Sequence, residues 1–140
     1  MPSDYCVFCE IVVGSAPASV VYRDDFVIAS MDIRPVNPGH LLVIPLNHAT
    51  YLADMGQLAG MRMFNAAHRI AQAVRDSNVR REGINLLLSD GVATGQEVLH
   101  VHLRVIPRFA GDQMVVTANW GIPPSRSELD ANAVGLWGRL

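Results

Sequence analysis

The sequence predicts an α+β domain: an antiparallel sheet of about five strands, one long helix laid on it and a short C-terminal helix. Three observations carry this. Five short apolar segments, at 19–24, 26–32, 41–45, 84–90 and 97–108, have strand character and follow one another closely. One long amphipathic stretch, from Gln57 to about Ser77, separates the third segment from the fourth. A parallel sheet would need a crossover helix at each return, more than this order of elements provides, so antiparallel pairing follows.

Residues 1–18 hold the turn formers Gly14, Ser15 and Pro17 and read as a short structured lead-in. SVVYRD (19–24) and FVIASMD (26–32) are rich in Val, Ile, Phe and Tyr, and Asp24-Asp25 at their junction predicts a hairpin. IRPVNPGH (33–40), with two prolines and a glycine, is a loop. LLVIP (41–45) is a continuous apolar run, hence a buried strand, and Pro45 ends it. On the helix, Leu58, Met61, Phe64, Ala67, Ala71 and Val74 recur at spacings of three and four, while Arg62, Arg69 and Arg75 fall elsewhere. REG (81–83) is a turn, INLLLSD (84–90) a strand and GVATGQ (91–96) a loop. EVLHVHLRVIPR (97–108) is the last strand. Its alternation is strict from residue 100: His100, His102, Arg104 and Ile106 on one face, Val101, Leu103, Val105 and Pro107 on the other. In the tail, Ser125 and Glu128 form a capping box for a short helix that Gly135 and Gly138 interrupt.

The 140 residues argue for one domain over 1–140, with a core at about 5–109 and a tail at 110–140. Half the chain is apolar, enough to fill a core. The net charge of -2, with no basic block, gives no electrostatic support to nucleic-acid binding. No apolar run approaches the ~20 residues of a membrane span, and no secretory signal opens the chain. A cytoplasmic protein is the expectation, with Cys6 and Cys9 kept reduced.

The polar residues of the last strand are the chemical signal. His100, His102 and Arg104 form a row spaced by ~6.6 Å. A solvated edge-strand face explains such a row equally simply. Its context argues otherwise. Gly95-Gln96 stands just before it, Pro38-Gly39-His40 precedes another strand, and Asp32 ends a third. Imidazole, guanidinium and a glycine loop together suit phosphate-ester chemistry. A neutral imidazole can attack phosphorus, a second group must hold its tautomer, and donors must neutralise the non-bridging oxygens. Cys6-x-x-Cys9 is half of a tetrahedral zinc site, with His48 and His100 as candidates to complete it. The same pair also reads as a redox motif or as two free thiols. His68, in mid-helix, reads as a helix-flank residue without a role.

The runs GHLLVIPLNH (39–48) and GQEVLHVHLRVIPR (95–108), with CVFCEIVVG and MDIRPVNPGH, closely resemble the histidine triad (HIT) proteins over residues 5 to 109. The resemblance implies a HIT-like fold and a homodimer whose two sheets join. It implies a nucleotide hydrolase or transferase that cleaves nucleoside monophosphates from phosphoramidates, dinucleoside polyphosphates or related nucleotides, with a purine nucleotide or its conjugate as partner. It assigns the nucleophile to His102, which becomes a nucleotidyl-imidazole, and catalytic roles to His40, Arg104 and Gln96. Asp32 is implied to take ribose hydroxyls, with Ser89, Gly95, Gln96, Glu97 and Val98 around the nucleotide. A structural zinc ion is implied on Cys6, Cys9, His48 and His100.

This chain departs from the family pattern at four positions. Arg104 stands where the third histidine belongs, Ser30 where an aromatic often floors the base pocket, Ser89 where an asparagine is common and Glu97 where many members have serine. Arginine can fork onto a phosphate, but its guanidinium holds its proton too tightly to act as a general acid near neutral pH. Chemistry at His102 is therefore expected to survive, with good leaving groups favoured. Two alternatives compete with the enzyme: a nucleotide-binding protein with reduced or lost catalysis, which Arg104, Ser30 and Ser89 favour, and a zinc-stabilised dimeric scaffold. Trp120 and Trp137 close over the pocket, meet a partner subunit or just pack, with packing the default for aromatics.

Overall fold

The computed structural model describes residues 5–140. Five strands, β1 (Val20–Arg23), β2 (Val27–Met31), β3 (Leu41–Pro45), β4 (Gly83–Leu88) and β5 (Leu103–Arg108), form one antiparallel sheet in the order β1-β2-β3-β5-β4. Helix α1 (Val7–Val13) precedes the sheet, α2 (Gln57–Arg75) lies between β3 and β4, and α3 (Arg126–Trp137) closes the chain. The expected succession of strands and long helix is therefore present.

The β1–β2 hairpin is fixed by Asp24, whose Oδ1 accepts the N–H groups of Phe26 and Val27 at 2.7 and 2.8 Å, while its Oδ2 accepts the Tyr22 hydroxyl. The register Ile28↔Ile44 and Leu42↔Arg104 carries one parity across β2, β3 and β5. Odd residues Val27, Ala29, Leu41, Val43, Leu103 and Val105 face α2 and make the main core with Met63, Ala66, Ala67, Ile70, Ala71 and Val74. Even residues Ile28, Leu42 and Ile44 face the other way and pack on Phe8 of α1. The sheet is thus covered on both faces, and the site lies on the α1 face.

Three sequence expectations change. The lead-in contains a helix, capped at its start by the Cys6 thiol, which accepts the Cys9 N–H at 3.4 Å, and closed by Gly14 at φ +83°. The apolar stripe read on α2 is right in its second half only. Leu58, Met61 and Phe64 are exposed, and the buried stripe runs through Met63, Ala66 and Ile70. Its three alanines let the helix axis approach the sheet closely, which the bulkier neighbouring stripe would prevent. The last strand begins at Leu103, not at 97. Upstream, the chain turns at 98–100, and the Val101 N–H bonds the Ala49 carbonyl at 2.7 Å instead of joining the ladder. The C-terminal helix has its expected capping box, Ser125 with Glu128, and buries none of its residues.

Candidate functional site

Although His100 and His102 precede β5, the alternation persists through them. Val101 joins the main core, and both imidazoles lie on the α1 face with 0% and 5% exposure. Phe8 covers them edge-on, its ring centroid 5.8 Å from His100 and 5.0 Å from His102. Sequence reasoning missed Phe8, whose only signal is an aromatic lodged between two cysteines.

Backbone carbonyls fix two of the imidazoles. His102 Nδ1 lies 2.8 Å from the His100 carbonyl, and His100 Nε2 lies 2.9 Å from the Pro45 carbonyl. A carbonyl only accepts, so both nitrogens carry the proton. His102 therefore keeps its lone pair on Nε2, and His100 keeps its lone pair on Nδ1. Burial pushes both imidazoles below their ordinary pKa near 6.5, which keeps them neutral at physiological pH.

His40 is also buried and lowered, first by burial and then by the charges of Arg104 and His102, with Asp32 opposing. Its Nδ1 accepts the Val36 N–H at 3.0 Å, so its proton sits on Nε2. That nitrogen lies 3.4 Å from Asp32 Oδ2 and has no hydrogen-bond partner. The other Asp32 oxygen accepts the Arg34 N–H at 2.8 Å. Asn37 ties this loop to β5 by donating to the Pro107 carbonyl at 2.8 Å. Asp32, His40, His102 and Arg104 share one sheet parity, and Leu87, paired with Arg104, places β4 residues 85 and 87 on the same face. Ser89, half-buried, follows just past β4.

The remaining residues frame this face. Gly95 adopts φ +89° at the end of a 3-10 turn. Gln96 is buried and engaged at both ends: its carbonyl accepts the Gly91 N–H at 2.7 Å, and its amide donates to the carbonyls of Thr50 and Val98. It braces the loop between its glycines and the His100 segment. Glu97 is exposed and pairs with Arg34 at 3.2 Å, and Val98 packs in the cluster around Phe8.

The second centre lies beside the first. One ligand atom from each of Cys6, Cys9, His48 and His100 falls within 4.8 Å of the others. His100 Nδ1 is 3.3 Å from Cys6 Sγ and 3.6 Å from Cys9 Sγ, and Cys9 Sγ is 3.3 Å from His48 Nδ1. Zinc bond lengths give a tetrahedron with N···S edges of about 3.5 Å. The three N···S separations match such edges, and all four donors lie close enough to surround one metal ion. The remote nitrogens are held too, His100 by Pro45 and His48 by Thr50 Oγ1 at 3.2 Å. Without a metal, burial and the neighbouring Cys6 push the Cys9 thiol up to about 11.

An α+β domain with three buried imidazoles and a Cys2His2 cluster on one sheet face is the class of protein that fold and site define. The HIT domain family matches residues 13–111, and the chain belongs to that family. It is similar to a HIT family protein from Bacillus subtilis whose crystal structure superposes with a TM-score of 0.89, at 32% identity, over 98% of each chain. It is also similar to a Zn-bound histidine triad family protein from Mycobacterium smegmatis, at 38% identity and TM-score 0.76 over 99% of each chain. Adenylylsulfatase HINT3 of Arabidopsis thaliana is 33% identical over 107 residues, covering 76% of this chain and 54% of the relative. The family includes nucleotide hydrolases. No helix among the described residues is long and apolar enough to cross a membrane.

Proposed function

We propose that this chain is a HIT-type nucleotide hydrolase or transferase acting through a nucleotidyl-His102 intermediate. The observation that carries the reading is the His102 imidazole, neutral, with Nδ1–H held by the His100 carbonyl and Nε2 free to attack phosphorus. Substrates are nucleoside monophosphates joined to a leaving group, as in a phosphoramidate, a dinucleoside polyphosphate or a related conjugate. Asp32 takes the ribose hydroxyls and His40 supports it from beneath. Arg104 holds the phosphate oxygens. Gly95, Glu97, Val98 and Ser89 line the nucleotide, while Gln96 positions their loop. The name of the Arabidopsis relative, an adenylylsulfatase, supports a hydrolase acting at a nucleotide phosphorus.

Zinc on Cys6, Cys9, His48 and His100 completes the domain. Bound there, it supplies structural cross-linking: it ties α1 to the His100 segment and so fixes Phe8 over His102. The ligand spacing and the Zn-bound mycobacterial relative support this. Two thiols that must stay reduced for this role fit the cytoplasm. A homodimer is supported by the exposed Leu58, Met61 and Phe64 of α2 and by the edge position of β4, which leaves Leu86 exposed.

A second reading, a nucleotide-binding protein with reduced or lost catalysis, is favoured by Arg104, Ser30 and Ser89. The two separate in one assay. Release of the fluorophore from a fluorogenic adenylate is followed for the wild type and His102→Ala. The enzyme reading expects activity in the first and a loss of at least about a hundredfold in the second. Equal rates in the two proteins contradict it, and binding of AMP without turnover selects the second reading.

A further inference from the structure

The proton positions around His102 deepen this reading and rest on it. The imidazoles on the His102 face have defined protons. The Nδ1–H of His102 is spent on the His100 carbonyl. The proton of His40 is on Nε2, against the Asp32 carboxylate on the ribose side. Arg104 is half-buried on β5, between Leu42 of β3 and Leu87 of the edge strand β4, two residues beyond the nucleophile on the same face. Among the described residues it has no ion pair, whereas Arg34, in the loop after Asp32, is engaged by Glu97. A half-buried guanidinium with no carboxylate bound to it is free to take a phosphate oxygen of a ligand. It carries no proton that it can surrender.

We infer that, among the leaving groups this reading allows, Arg104 selects those that depart as stable anions, such as a sulfate, a carboxylate or a polyphosphate in mixed anhydride with the nucleoside monophosphate, and makes phosphoramidates of amines poor substrates. In the first step His102 Nε2 forms a bond to the α-phosphorus and the bond from phosphorus to the leaving oxygen breaks. The electron pair departs with the leaving group as an anion, which Arg104 stabilises with no proton transferred. In the second step water adds to phosphorus and the P–N bond returns its pair to His102. The water proton passes to solvent. An amine leaving group cannot follow this course, because its nitrogen must be protonated as the P–N bond to it breaks, and no group at the third position supplies that proton.

The test compares kcat/KM for adenosine 5′-phosphosulfate, an acyl adenylate and an adenosine 5′-phosphoramidate of a primary amine. The full zinc-loaded chain is used, with Arg104→His and Arg104→Gln beside it. General-acid assistance contributes a factor of about 10²–10⁴. The wild type should therefore favour the anhydrides by at least about a hundredfold over the phosphoramidate. Arg104→His should cut that ratio at least about tenfold by raising phosphoramidate turnover, and Arg104→Gln should leave the ratio high while slowing all substrates. A wild-type ratio near one overturns the assignment without any variant having to fold. So does an Arg104→Gln that rescues the phosphoramidate as well as histidine does. Brisk phosphoramidate cleavage that His40→Asn abolishes names His40 as the proton donor and equally overturns it. In all these outcomes the nucleotidyl-histidine reading stands. No turnover of any substrate removes that reading, and this inference with it.

Discussion

Replacing Gly39 by alanine tests how tightly the loop before His40 is specified. Gly39 has φ +93°, and a Cβ there would lie 2.6 Å from Val79 Cγ1, 3.1 Å from Val79 Cγ2 and 3.4 Å from Pro107 Cγ. The backbone strain costs about 1–3 kcal/mol for an L side chain. Val79 is β-branched and packs against the main core, so it must shift as a unit, an overpacking cost of about 1–3 kcal/mol. The stiffer unfolded chain returns about 0.4–1 kcal/mol. The balance is a loss of about 1–5.6 kcal/mol, which at a urea m-value of about 2 kcal/mol/M lowers the unfolding midpoint by about 0.5–2.8 M. Val79→Ala in the same background removes the clash and leaves the strain, so the double variant should be less destabilised than the sum of the singles. A Gly39→Ala midpoint within about 0.25 M of the wild type would refute the close approach and the strain argument together.

Metal affinity should fall as pH falls, because a Cys9 thiol raised to about 11 must lose its proton to bind. Competition with a chromophoric chelator reads this directly, together with proton release on metal addition, and a pH-independent affinity would count against thiolate ligation. Removing the metal with a chelator should free α1, lower the melting temperature and weaken AMP binding in a calorimetric titration. Unchanged AMP affinity would mean that α1 is held by Phe8 packing alone. His40 has its folded-state pKa depressed from 6.5 by burial, so the native state resists a proton that the unfolded chain accepts. Its contribution to stability is therefore present above pH 6.5 and is lost as pH falls through the lower folded value. His40→Asn should flatten the decline in melting temperature between about pH 7 and about pH 5, although the buried His100 and His102 keep part of it, and an unaltered slope would place the acid sensitivity elsewhere.

Much of the sheet, and the gathering of the candidate side chains on one face, were legible in the sequence, for reasons that can be located. Alternation from His100 to Ile106 fixed which side chains share a face, and that parity survives even where the ladder does not. The start of β5 was not legible, because the bond from Val101 N–H to the Ala49 carbonyl links segments far apart in sequence. Helix α1 was hidden because a cysteine thiol does the capping that Ser, Thr, Asp or Asn ordinarily advertises. On α2 two apolar stripes lie side by side, and only the close approach to the sheet selects the one rich in alanine. The roles of Phe8 and of the Pro45 carbonyl depend on tertiary contact and leave no pattern of their own. The bonds of the Gln96 side chain to the Gly91 N–H and the Thr50 carbonyl, which brace its loop, likewise left no pattern in the sequence.

The central claim is that His102 Nε2 becomes covalently attached to a nucleotide. Acid-free quenching during turnover of an adenylate substrate, followed by peptide mass spectrometry, measures it most directly. The account predicts one adenylyl increment on the peptide that carries His102, lost on mild acid treatment as a phosphoramidate should be and absent from His102→Ala. Steady turnover with no such increment, or the same increment in His102→Ala, would contradict it.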